Sequence, residues 1–249
     1  MIRKVMSALL VLMLAGCNAA APEQPASEPE SGNHGCDAFE ECEDEGAPAS
    51  ETALQFKESY EALNGVANSS GKIHRTITVS ENHPFEKTDP KDVVSAIENG
   101  ETFWLYFGDP KCPWCRSVLE TSIRIAAEKG VTSIKYVEIW DAEGNEIVRD
   151  KYVLEDGKPV KEGDGIPEYA QLLKLLDPVL DQYELEDDDG NTVQVGEKRV
   201  YAPNYIRIEN GKAVRLTTGI PEDLEDPRDE LTPEMLADEA KQFEEFFTE

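Results

Sequence analysis

The sequence predicts an α/β fold whose central sheet contains parallel pairs. Three observations predict it. An unbroken apolar run, Thr102 to Phe107, reads as a strand buried on both faces. Strand-type and helix-type patterns alternate on either side of that run, between about residues 70 and 140. Helix punctuation separates them: Asp89-Pro90 as an N-cap and first-turn pair, and Gly100 and Gly130 as C-terminal stops. Strands alternating with helices imply right-handed crossovers, with functional loops at the carboxyl ends of the strands.

Taken in order, the elements begin with an amphipathic helix over 52–63, carrying Leu54, Phe56, Tyr60 and Leu63 at helical spacing and ended by Asn64-Gly65. Residues 73–79 are β-branched and alternating, which predicts a strand. The helix opened by Asp89 places Val93, Val94 and Ile97 on one face. After the 102–107 strand, a second helix runs to about Lys129 with Val118, Leu119, Ile123, Ala126 and Ala127 inward, and residues 133–140 read as another strand. Asp156-Gly157 predicts a hairpin between the runs at 151–154 and 158–160. Pro167 opens a helical pattern of Tyr169, Leu172, Leu173, Leu176, Val179, Leu180 and Tyr183, kinked or divided at Pro178. Residues 187–191 form a turn; a calcium loop of the EF-hand type would need its glycine later and a glutamate at the twelfth position. Asn210-Gly211 between 205–208 and 212–217 is a strong hairpin signal. Thr232-Pro233 caps a last helix whose Leu236, Ala240, Phe243 and Phe247 make one apolar stripe.

Composition narrows the function. The formal net charge is −28, from 52 acidic and 24 basic residues. No basic patch stands out, which argues against nucleic acid as a partner. Arg3 and Lys4, the short apolar core from Val5 to Leu14, and then Ala15-Gly16-Cys17 resemble a bacterial lipoprotein signal over residues 1–16, with Cys17 as the lipidated mature N-terminus. The expectation is a protein held outside the cytoplasmic membrane by that lipid, where disulfides persist. Residues 17–50 are rich in Ala, Pro, Glu, Ser and Gly, the composition of a disordered acidic tether, and 51–249 hold the folded domain.

The chemistry concentrates in Lys111-Cys112-Pro113-Trp114-Cys115-Arg116, directly after the apolar strand. Two thiols one turn apart at a helix start can bridge reversibly, and the helix N-terminus stabilises a thiolate at Cys112. Pro113 suits the first helical position. Half of a zinc site is the competing reading, but it requires a second matching ligand pair. The other candidates, Cys36 and Cys42, flank acidic residues that disfavour thiolates, and in an oxidising compartment they are expected to form a local disulfide. His34, His74 and His83 stand far from the pair in sequence, so no metal site is expected.

The 102–107 strand, the Cys112-Pro113-Trp114-Cys115 turn opening a helix, and Pro203 beginning an antiparallel hairpin before a terminal helix together resemble the thioredoxin superfamily. Phe107 to Cys115 is most similar to its bacteriocin transport accessory type. The resemblance covers about 70–140 and 199–248. It implies a mixed central sheet flanked by helices, with 141–198 as an insertion before the cis-Pro strand. It also implies a cis Ala202-Pro203 peptide facing the thiols, with Ala202 and Trp114 contacting substrate. By this resemblance Cys112 is exposed and exchanges with a substrate sulfur, and Cys115, more buried, resolves the mixed disulfide. Lys111 and Arg116 are expected to lower the Cys112 pKa and Asp109 to raise it. Tyr106 stands where thioredoxins carry a buried aspartate, and a phenol is a poor base near neutral pH. The implied activity is thiol–disulfide exchange on protein or small thiol substrates by a monomer without cofactor. The other reading of the same scaffold is a non-catalytic binding module at the cell surface.

Overall fold

In the computed structural model, residues 50–248 are described. The lipidation at Cys17, the Cys36–Cys42 pairing, the leader and the tether lie outside them. Five strands form one mixed sheet in the order β1-β3-β2-β8-β9: β1 (Phe85–Lys87), β2 (Phe103–Gly108), β3 (Ile134–Glu138), β8 (Asn204–Glu209) and β9 (Lys212–Thr217). β1 and β2 both run parallel to β3, while β8 pairs antiparallel with β2 and with β9.

The apolar run of β2 is continuous because both of its faces are covered. Trp104 and Tyr106 point into an aromatic core shared with α1 (Glu51–Glu61), α3 (Pro113–Glu128) and α5 (Pro233–Phe246). Leu105 and Phe107 point the other way, into an aliphatic core shared with α2 (Pro90–Glu98) and α4 (Tyr169–Leu176). The side chains of Asp89 and Thr232, the caps the sequence signals, accept from the N–H groups of Lys91 and Met235, and Ser50 caps α1 in the same way from Ala53 N–H. The protein is thus a mixed α/β structure with a mixed sheet flanked by helices. Among the described residues no helix is long and apolar enough to cross a membrane.

Between β3 and β8 lie two separate antiparallel hairpins, β4 (Lys151–Glu155) with β5 (Lys158–Gly163), and β6 (Asp181–Glu186) with β7 (Thr192–Arg199), with α4 between them. Asp156-Gly157 and Asn210-Gly211 turn their hairpins with both residues at positive φ. The 187–191 turn closes on the Asp187 carboxylate, which accepts from the N–H groups of Asp189 and Asn191.

Three expectations are corrected. Residues 73–79 are extended but join no sheet. Asn64 exchanges two hydrogen bonds with the Ile77 backbone, and Glu61 and Glu120 accept from the N–H groups of Val79 and Thr78. Side chains therefore take the place of a neighbouring strand, and β1 is the edge strand instead. The helix expected beyond Pro167 is short: it stops at Leu176, ahead of Pro178, and Tyr183 belongs to β6. On α5 the inward face is Glu239, Phe243, Phe246 and Phe247, while Leu236 is exposed.

Candidate active site at the Cys112–Cys115 turn

β2 ends at Gly108, and α3 starts four residues after Asp109, so the thiols sit where a parallel strand hands over to a helix. Asp109 builds the turn. Its buried carboxylate accepts from Lys111 N–H at 2.8 Å and Trp140 N–H at 3.2 Å, and its carbonyl accepts from Cys112 N–H at 3.1 Å. The loop is thereby tied to the chain just beyond β3. Burial raises the Asp109 carboxyl to about 7, against the stabilising Lys111 and Trp140 N–H groups.

Cys112 is the N-cap of α3. Its sulfur accepts from Cys115 N–H at 3.4 Å and donates to the Ala202 carbonyl at 3.3 Å. The Cys115 thiol also donates to it, and this bond leads in holding the Cys112 thiol below its ordinary value. The N–H groups of Cys115 and Trp114 add to the effect; burial and the Asp109 charge oppose it. Cys115, with no exposed surface, moves the opposite way, first through burial and then through its hydrogen bond to Cys112. Both cysteines are free thiols. Two sulfurs one helical turn apart are thus pushed apart in acidity, one poised as a nucleophile and one kept protonated.

Behind Cys115 stands a wall of phenols. Tyr106 hydrogen-bonds the Cys115 sulfur and lies 3.1 Å, hydroxyl to hydroxyl, from Tyr60. Its ring stacks between Tyr205 at 4.4 Å and Tyr136 at 5.4 Å. Gly108 makes room for it, since a Cβ there would overlap the Tyr106 ring. Burial raises Tyr60, Tyr106, Tyr136 and Tyr205 well above a phenol's usual value, so near neutral pH these phenols stay protonated.

The structure assembles some of the expected site and disperses the rest. Ala202-Pro203 is a cis peptide whose Ala202 carbonyl faces Cys112. Trp114 is half-buried and packs on the edge of the aromatic core. Asp109 raises the Cys112 pKa, in the expected sense. Cys112 itself is buried, at 4% exposure, rather than open. Lys111 turns away: its ammonium donates to the carbonyls of Asp141 and Ala142. Arg116 turns inward, and its fully buried guanidinium donates to the carbonyls of Tyr60, Pro110 and Arg75 and to Asn64 Oδ1. Neither cation is among the groups that lower Cys112; hydrogen bonds from α3 do that work. The sequence reading gave Tyr60 and Asn64 only a part in the first helix and placed none of Asn64, Tyr60 or Trp140 at the site. A signal was present, because Cys112, Cys115, Arg116, Leu119 and Ile123 share one helical face, which puts Arg116 indoors.

Beside the turn is an open groove of about 490 Å³, lined in part by Leu63, Val66, His74, Lys111, Pro113 and Trp140. His74 is held below its ordinary pKa, first by burial and then by Arg116, so it is neutral near pH 7. Among the described residues no three His, Cys, Asp or Glu side chains gather into a metal-binding group. The sequence matches no family model and no curated protein.

Proposed function

We propose that this protein is a thioredoxin-like thiol–disulfide oxidoreductase, anchored outside the cytoplasmic membrane through Cys17, that works through Cys112 and Cys115. The observation that carries the reading is the opposed acidity of the two thiols at one helix start, with the Ala202 carbonyl against the nucleophile. Strand order and the α3 N-cap agree with such a scaffold, and the Leu14-to-Cys17 stretch supports the anchor.

In the reductive direction, the Cys112 thiolate attacks one sulfur of a substrate disulfide. The substrate S–S bond breaks, its departing thiolate takes a proton from water, and a Cys112 mixed disulfide remains. Cys115 then attacks the Cys112 sulfur, its proton passing to the second substrate thiolate as that leaves. The Cys112–Cys115 disulfide forms. Two electrons have passed from the protein dithiol to the substrate; the reverse sequence oxidises a substrate dithiol. Burial and the hydrogen bond to Cys112 keep Cys115 protonated until the mixed disulfide forms, and the groove beside Pro113 and Trp140 offers an apolar bed for the chain next to the reacting sulfur.

The test is the reduction potential of the couple together with two variants. Cys112→Ser abolishes insulin-disulfide reduction and thiol oxidation, and Cys115→Ser accumulates a mixed disulfide with substrate. A potential near about −120 to −180 mV marks an oxidant or isomerase, and one near about −270 mV a reductase. Full activity in Cys112→Ser overturns the proposal and leaves the binding-module reading.

A further inference from the structure

The bases of the two hairpins enclose a second feature, independent of the thiols. Arg149 and Arg199 are both nearly buried, at 6% and 8% exposure. Arg149 is fully engaged. Its Nε donates to Glu146 Oε2 at 2.8 Å, its Nη2 reaches the same oxygen, and its Nη1 donates to the Val200 carbonyl at 3.1 Å. Arg199 is not matched in this way. Its Nη1 donates to the Asp150 carbonyl at 2.8 Å, its guanidinium lies 4.0 Å over the Tyr183 ring, and its Nη2 stands 3.7 Å from the Glu146 oxygen already held by Arg149. The neighbouring Asp150 carboxylate is committed to Lys161 and to Gly165 N–H. Two buried guanidiniums therefore share one carboxylate, in a chain whose net charge is −28. Burial and the Arg149 charge both push the Arg199 pKa down, the mark of a cation short of counter-charge.

These groups face an open cavity of about 580 Å³ whose walls include Trp140, Tyr152 and Tyr183. That volume suits a small molecule. Aromatic walls and an arginine with spare donors are the complement of a flat body bearing a carboxylate: the rings cover the body, and the planar fork takes the anion. We propose that this cavity binds a small aromatic carboxylate, with Arg199 as its anchor and Arg149–Glu146 as the fixed frame behind it. A bound carboxylate supplies the second negative charge that the arginine pair lacks, in a site drier than open solvent.

Benzoate is the probe, titrated calorimetrically into the intact chain at low ionic strength, with neutral benzamide as its isostere. Saturable one-to-one binding of benzoate, absent for benzamide, is expected. Arg199→Gln weakens it by at least about tenfold, a loss of about 1.4 kcal/mol. Arg199→Lys keeps the charge without the fork and weakens it less. Arg124→Gln, at an exposed pair with Glu128 on α3, leaves it unchanged. No saturable binding up to about 10 mM benzoate, equal binding of benzamide, or unaltered binding in Arg199→Gln overturns the proposal. Should Arg199→Gln lose its native circular dichroism, Arg199→Lys decides: binding as tight as in the parent chain counts against the anchor. None of these readouts depends on the thiols, so the redox reading stands or falls separately.

Discussion

The central sheet and the two hairpins between β3 and β8 use strands of similar length under opposite conditions. In β2 every residue from Trp104 to Gly108 is buried, whereas no residue of β4 or β5 is. Each region also encloses an arginine. Arg116, under the Cys112–Cys115 turn, is wrapped by oxygens of four residues from three separate stretches, while Arg199, at the hairpin base, has one backbone acceptor and an open cavity. The comparison separates two ways of holding a chain. The sheet is held by contacts distant in sequence, so each part is load for several others. The hairpins are held by their turns and cross-strand pairs, which are local.

The largest expected effect tests that difference directly. Arg116→Met leaves the Pro110 and Arg75 carbonyls without their donor in the interior and takes one donor each from the Tyr60 carbonyl and the Asn64 oxygen, and is expected to destabilise by about 3–5 kcal/mol. Arg199→Met removes one hydrogen bond to Asp150 and a stack on Tyr183 beside an open cavity, and is expected to cost about 1–2 kcal/mol. Urea unfolding of both variants measures the gap. Equal losses would mean that the hairpin base is as tightly built as the Cys112–Cys115 turn.

A paired glycine substitution comes next. Gly157 and Gly211 both sit at φ +72°, in hairpin turns of the two regions. A Cβ at Gly157 meets nothing within 4 Å; at Gly211 it overlaps the Ile97 carbonyl at the end of α2. Gly157→Ala therefore carries only the backbone penalty, about 1 kcal/mol. Gly211→Ala adds the displacement of α2 from the sheet, for about 2–4 kcal/mol in all. Thermal melts of the pair isolate packing from backbone strain, because the strain is common to both. Matching melting temperatures would remove the contrast.

The same division explains what could be read from the sequence. The 102–107 run, the Cys112 helix start and the Asn210-Gly211 hairpin were legible because each is encoded by neighbouring residues: an apolar stretch, a cap with Pro113, a turn pair. Residues 73–79 carry a strand's alternation, but a strand also needs a partner, and here Asn64, Glu61 and Glu120 supply the bonds from elsewhere. The short β1 was missed because three residues give no period to detect. Tyr183 sat at helical spacing from Leu176 only by chance, with Pro178 between them. At the site, the two thiols were readable and their tuning was not. Lys111 and Arg116 flank the cysteines in sequence, yet side-chain direction sends one to the Asp141 turn and the other into the core. Glu239, buried against Thr121 and raised to about 7 by burial, occupies a position on α5 that the apolar stripe did not mark.

The smallest effect concerns Asp109, which ties the Cys112–Cys115 turn to Trp140, where the chain leaves β3 toward the hairpins. Its folded pKa of about 7 lies above the ordinary carboxyl value, so the folded state binds the proton more tightly than the unfolded chain does. The stabilisation from that proton is complete below about pH 4 and is lost as the pH rises through about 7. In Asp109→Asn this part of the slope vanishes, leaving a steadier stability between those limits. The amide offers one acceptor where two N–H groups need one each, for a pH-independent loss of about 1 kcal/mol. Above pH 7 the parent chain also places the Asp109 charge near Cys112 and opposes its thiolate, an effect absent in the variant. Cys112 should therefore react faster with iodoacetamide in Asp109→Asn than in the parent, by about tenfold for each unit its pKa falls, and the advantage should widen from pH 6 to pH 8. Parallel rate profiles across that range would show that Asp109 acts only as a brace for the turn and leaves the thiol's acidity to α3.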